Sequence, residues 1–139
     1  MSAIVSMRWS VPCLIVVLAA GAALADDDKA AGIQIESPAD GADVEWLEAP
    51  NGRVPAGKQA LLIVEPLDGS GMYWVQPPVT TQPDGAWAAD ACYFGEETTS
   101  GVKFRLHVLS VPDASKWTDG QILTSLPKAP RKTHTVRRP

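Results

Sequence analysis

Histidine and cysteine are scarce in this chain of 139 residues, with two of each. That scarcity removes several kinds of chemistry. Zinc needs clustered nitrogen and sulfur ligands, and His107, His134 and Cys92 stand far apart in sequence, so no metal site is expected. The chain has no Gly-x-Ser-x-Gly elbow to present a nucleophile. Its acids are plentiful, but none stands in the context of a glycosidase pair. Asp26-Asp27-Asp28 and Asp40-x-x-Asp43 lack the oxygen spacing of a calcium loop. Cys92 lies in the apolar run Ala91-Cys92-Tyr93-Phe94 with no activating base beside it, and reads as a buried thiol. No cofactor and no enzyme activity are expected. Also missing is a sustained 3.6-residue period beyond the N-terminal segment, so little helix is predicted. No internal repeat or linker divides the chain.

The N-terminus is richer in signal. One basic residue, Arg8, precedes the apolar and small-residue run VPCLIVVLAAGAALA at 11–25, which stops abruptly at Asp26-Asp27-Asp28. A basic start, an apolar middle and the small-x-small end Ala23-Leu24-Ala25 make a secretory signal peptide with cleavage after Ala25. The competing reading is a retained anchor, but the run is about 15 residues, short of the roughly 20 that span a bilayer. The residues before Cys13 do not form a lipobox. The expected organisation is therefore a signal peptide at 1–25, a disordered leader at 26–31 and one domain at 32–138, exported to the periplasm or beyond, with no membrane span after cleavage. One cysteine would remain in the mature chain, so no internal disulfide can form and the core must carry stability.

Charge is unevenly placed. Residues 26–127 hold all sixteen acids and six basic residues, whereas 128–139 hold Lys128, Arg131, Lys132, Arg137 and Arg138 and no acid. An acidic body repels nucleic acid and anionic lipid, so no nucleic-acid partner is expected. The basic end could bind a partner or dock on the acidic body.

Turn signals recur every 8 to 15 residues, among them Asp40-Gly41, Asn51-Gly52, Asp68-Gly69, Asp84-Gly85 and Ser100-Gly101. Short branched and aromatic runs lie between them, a rhythm that argues for an all-β sandwich or barrel. Strands are predicted over 32–36, 44–47, 59–65, 72–76, 86–94, 102–108 and 133–137. Residues 59–65 are apolar on both faces and read as a central strand stopped by Pro66. Residues 72–76 should be its hairpin partner. Residues 102–108 alternate cleanly, with Val102, Phe104, Leu106 and Val108 inward and Lys103, Arg105 and His107 toward solvent. A helical turn or two is expected near 113–126.

The order Ile35-x-Ser37-Pro38-x-x-Gly41, Gly52-x-Val54-Pro55-x-Gly57, Tyr73-Trp74-Val75-Gln76-Pro77, Asp84-Gly85-x-Trp87 and Phe104-x-Leu106-x-Val108 resembles a small immunoglobulin-like or fibronectin-like β-sandwich module of secreted and surface-exposed bacterial proteins. The Asp-Gly-x-Trp element resembles repeats of bacterial surface adhesins. The resemblance covers about residues 32–138. It implies a two-sheet antiparallel sandwich of about seven strands. It also implies a binding or structural role in the cell envelope, with an envelope protein or a polysaccharide as partner. Composition carries no signal for an oligomeric state.

The aromatics supply the candidate site. Sugar rings stack on exposed indoles, so a carbohydrate-binding reading competes with a packed core. Trp87, two residues after an Asp-Gly turn, is expected in the core. On the 72–76 strand, Tyr73 and Val75 share one side while Met72, Trp74 and Gln76 share the other, and only one side should face the core of a two-layer sandwich. If Trp74 is the outward ring, Gln76 beside it offers a hydrogen-bonding edge. Tyr73, Trp74 and Gln76 are thus the candidate ligand-binding residues. A hydrolase, the third reading, requires a cleft with perturbed titratable groups.

Overall fold

β4 (Gln59–Pro66) carries Leu61, Leu62, Ile63 and Val64, all buried. Successive side chains leave a strand on opposite faces, so this one needs a cover on both. It lies at the centre of a five-stranded antiparallel sheet in the computed structural model, which describes residues 32–139. The order is β10 (Ile122–Leu123), β5 (Tyr73–Val75), β4, β9 (Val102–Val111) and β11 (Arg131–Arg138). β4 and β9 pair along eight residues, from Gln59 opposite Val111 to Pro66 opposite Phe104. The expected signal peptide at 1–25 and leader at 26–31 lie outside the described residues.

The first cover is a four-stranded antiparallel sheet in the order β1 (Gln34–Ser37), β3 (Asn51–Arg53), β7 (Ala86–Ala88), β6 (Thr80–Thr81). Ile33, Ile35, Val54, Trp87 and Ala89 on this side pack into one core with Leu62, Val64, Phe104, Leu106, Val108 and Val136 of the larger sheet. Fully burying one such side chain contributes roughly 1.5–3 kcal/mol. Trp87 is in the core as its turn predicts. Gly85 makes that turn possible: its φ is +98°, and a Cβ there would overlap the Val54 carbonyl oxygen. The Trp87 indole N–H is buried with no hydrogen-bond partner, which costs about 1–3 kcal/mol.

The second cover is the excursion from 112 to 130. Ala114, Trp117, Leu123, Leu126 and Ala129 pack there with Tyr73 against Leu61, Ile63, Val75, Leu109 and Val111. This overturns the expectation that His107 faces solvent. His107 is 4% exposed, because the face it points to is roofed by the excursion.

The fold is all-β and antiparallel, but among the described residues eleven strands in three sheets replace the expected seven or so in two. The run 86–94, read as one strand, breaks at 89–91. Ala89 N–H donates to the Pro50 carbonyl, and the chain then joins a separate two-stranded sheet, β8 (Cys92–Tyr93) against β2 (Leu47–Glu48). The run 44–47 pairs only at Leu47, while Val44 N–H donates to Arg137 O. The expected helical turns shrink to one 3-10 turn, Ala114–Lys116, capped by the Asp113 carboxylate, which accepts from Ser115 N–H at 3.0 Å. The following residues are taken by the open edge of β5: Val75 N–H donates to Gln121 O, and Gly120 N–H donates to Val75 O.

The basic end docks on the body. Arg137 Nε donates to Asp43 Oδ1 at 3.0 Å. Buried Arg138 donates to three carbonyls, of Phe94 at 2.6 Å, Glu96 at 2.9 Å and Glu97 at 3.3 Å. Those bonds fix the 94–97 segment, one wall of the site described next.

Candidate functional site

β5 pairs with β4 so that Val64 faces Trp74 and Ile63 faces Val75. Trp74 therefore shares the inner face with Val64, and Tyr73 shares the outer face with Val75. The expectation that only one side of this strand could meet a core is corrected, because the five-stranded sheet is covered on both. Tyr73 belongs to the outer cluster, with its ring 6.0 Å from that of His107. Trp74 lies on the inner face but stays 38% exposed, since a groove rather than a packed strand stands over it.

That groove encloses about 520 Å³, inside the roughly 300–1,000 Å³ range of ligand pockets. Its apolar lining includes Val64, Val102 and Phe104, continuous with the inner core. Trp74, Met72 and Pro77 stand on one side, and Tyr93, Gly95 and Thr99 on the other. Asp68, Glu96 and Asp119 are the titratable carboxylates along it, and no lysine, arginine or histidine lines it. Asp68 is held below its ordinary range by the Ser70 hydroxyl and backbone N–H, the latter donating to Asp68 Oδ1 at 2.9 Å.

Gln76 links the two aromatic walls. Its Oε1 accepts from Tyr93 N–H at 2.7 Å, and its Nε2 donates to Trp74 O at 3.3 Å. The side chain is buried, with 6% of the residue exposed. The expected role of Gln76 as a free hydrogen-bonding edge is thereby corrected. Its amide replaces a missing strand pairing between β5 and β8, which makes it a positioning residue for the rings on either side.

Tyr93 is the site residue that the sequence reading passed over. Its place in the apolar run with Cys92 and Phe94 hides it. The alternation of Cys92 in, Tyr93 out and Phe94 in was the signal that could have found it. The Trp46 ring packs on Tyr93 with centroids 5.7 Å apart. The four large hydrophobic side chains exposed among the described residues are Leu47, Trp74, Tyr93 and Ile122. They form two directly opposed strand pairs, Leu47 with Tyr93 and Ile122 with Trp74, and Gln76 joins the pairs. Directly opposed residues share a face, so each exposed ring has an exposed aliphatic neighbour.

A second polar arrangement lies on the outer face. His107 Nδ1 is 2.8 Å from Thr133 Oγ1, and His107 Nε2 is 2.9 Å from Glu65 Oε1. Arg105 sits 3.6 Å from the same carboxylate oxygen. Burial pushes the His107 value down, and the Glu65 hydrogen bond and charge oppose that. A hydroxyl, an imidazole and a carboxylate in series resemble a hydrolytic relay. Neither the groove above nor a smaller one of about 230 Å³ beside Gln59 and Trp117 is lined by His107, Thr133 or Glu65. The series satisfies polar groups inside the outer cluster. Among the described residues no cluster of three or more His, Cys, Asp or Glu is placed to hold a metal ion.

No protein-family model matches the chain, and no curated protein or solved structure matches it.

Proposed function

We propose that this chain is an exported, non-enzymatic β-sandwich module of the immunoglobulin-like kind, and that it binds an envelope component through the Trp74–Tyr93 groove. The fold reading is supported by two antiparallel sheets facing each other across one core. The binding reading is carried by one observation: of the four exposed large hydrophobic side chains, Trp74 and Tyr93 line one groove, and Ile122 and Leu47 are their directly opposed strand neighbours. Concentrated apolar exposure marks interaction surfaces. Export rests on the apolar run at 11–25 and the small residues before Asp26. A carbohydrate or envelope polymer is the second ligand class, favoured by the two exposed rings, whose π-faces suit sugar C–H groups.

Tryptophan fluorescence tests the groove. Titration with neutral oligosaccharides and with short peptides is expected to shift the emission for at least one class. Trp74→Ala should remove the shift while leaving the circular dichroism spectrum unchanged. Unfolding of Trp74→Ala would instead make Trp74 a core residue and remove the site.

A further inference from the structure

The groove combines two properties that together select a ligand. Its floor is apolar, formed by Val64, Val102 and Phe104. Its charged groups are all anionic, namely Asp68, Glu96 and Asp119. None of these three carboxylates has an ion-pair partner among the described residues. The three ion pairs found there, and the His107–Glu65 contact, use other acids. The Gln76 amide, which could have met a sugar hydroxyl, is engaged at both ends by backbone. The three carboxylates add a charge preference that a neutral sugar does not use and a basic segment does. An anionic polymer would meet three like charges.

Resting on the binding reading above, we propose that the groove takes an extended segment of a protein partner, with an apolar side chain seated on the Val64–Phe104 floor between Trp74 and Tyr93, and lysine or arginine flanking it against Asp68, Glu96 and Asp119. The rings add to this selectivity, since a cation is attracted to an indole or phenol face. The volume of about 520 Å³ accommodates an anchor side chain and parts of its neighbours. The carboxylates act chiefly on selectivity and encounter rate, and the apolar anchor supplies most of the affinity.

The test uses acetylated heptapeptides with a central phenylalanine and two flanking lysines, the same peptides with glutamates in place of lysines, and neutral oligosaccharides. Binding is read by tryptophan fluorescence and calorimetry on the full chain, on Trp74→Ala, and on a variant combining D68N, E96Q and D119N. Each rim substitution keeps the shape and, at Asp68, the oxygen that accepts from Ser70. The expected result is binding of the lysine peptide alone, lost in Trp74→Ala and weakened about tenfold in the triple variant. Raising the salt from low to molar concentration should weaken it similarly. Equal affinity for lysine and glutamate peptides, or no effect of the triple variant, would overturn the charge selection while leaving the groove a binding site. Trp74-dependent binding of oligosaccharide alone would replace the peptide with a sugar. If no probe reaches the groove and Trp74→Ala stays folded, both the inference and the reading it rests on fail.

Discussion

The two faces of the five-stranded sheet are sealed by different means. The inner face meets another sheet, and Phe104, Leu106, Val108 and Val136 are at most 2% exposed there. The outer face meets the 112–130 excursion, whose regular structure is one 3-10 turn and a two-residue strand. The roofing side chains Trp117, Leu123 and Leu126 are only partly buried. The outer layer also encloses the Glu65–His107–Thr133 series, whereas the groove interrupts the inner layer where β5, the end of β4 and the start of β9 face residues 93–99. A cover of paired strands satisfies its own backbone and can close fully over apolar groups. A cover of loop leaves gaps and tolerates polar inclusions.

The difference can be broken by mutation. Phe104→Ala should cost about 3–5 kcal/mol, as expected for a large ring lost from a packed core. Leu126→Ala on the outer roof should cost no more than about 2 kcal/mol, near the low end for such truncations because the site is already half open. Urea unfolding of both variants checks this, and equal losses would mean that the loop cover packs as well as the sheet.

Gln76→Leu comes next. It leaves the Tyr93 N–H without its acceptor and should cost about 1–3 kcal/mol. Gln76→Glu retains the acceptor oxygen but puts a second oxygen where Nε2 donates to Trp74 O. It should therefore cost a comparable amount at neutral pH, and less where the carboxyl is protonated, in the same denaturation experiment. Loss of groove binding in Gln76→Leu with Trp74 and Tyr93 both present would mark Gln76 as the group that sets their spacing.

The smallest effect is pH-dependent and confined to the outer face. Burial holds His107 below its ordinary value of 6.5 in the folded chain. The unfolded chain therefore takes up the proton more readily. The stability contributed by neutral His107 is complete above pH 6.5 and declines as pH falls from there through the folded value. Urea midpoints between pH 8 and 5 should show this decline, and His107→Gln should flatten it. The lowered carboxylates Asp68 and Asp113 have an ordinary value of 3.8 and act only in a more acidic window.

The same contrast explains what was legible in the sequence. β4, β9 and β11 could be read from alternation and apolar runs, because their pairing depends on their own side chains. Trp87 followed from its turn. His107 could not be placed correctly, since a polar residue on an alternating strand reads as outward unless a distant loop covers it, and residues 112–130 have no period to announce that they do. Gln76 was misread for a related reason: a glutamine beside an exposed tryptophan looks free until the backbone N–H it accepts from, 17 residues later, is brought alongside. Tyr73 and Trp74 were correctly separated by face, but which one would be exposed depended on the register with β4.

Cys92, buried beside Tyr93 and with no exposed surface, gives the groove wall a clock. Burial first, and the Glu48 carboxylate second, push its thiol far above the ordinary thiol range, so it is inert toward alkylating reagents while β8 stays in place. Its reaction rate under native conditions counts how often that edge of the sandwich opens. A molecule seated against Tyr93 slows the count without touching the sulfur.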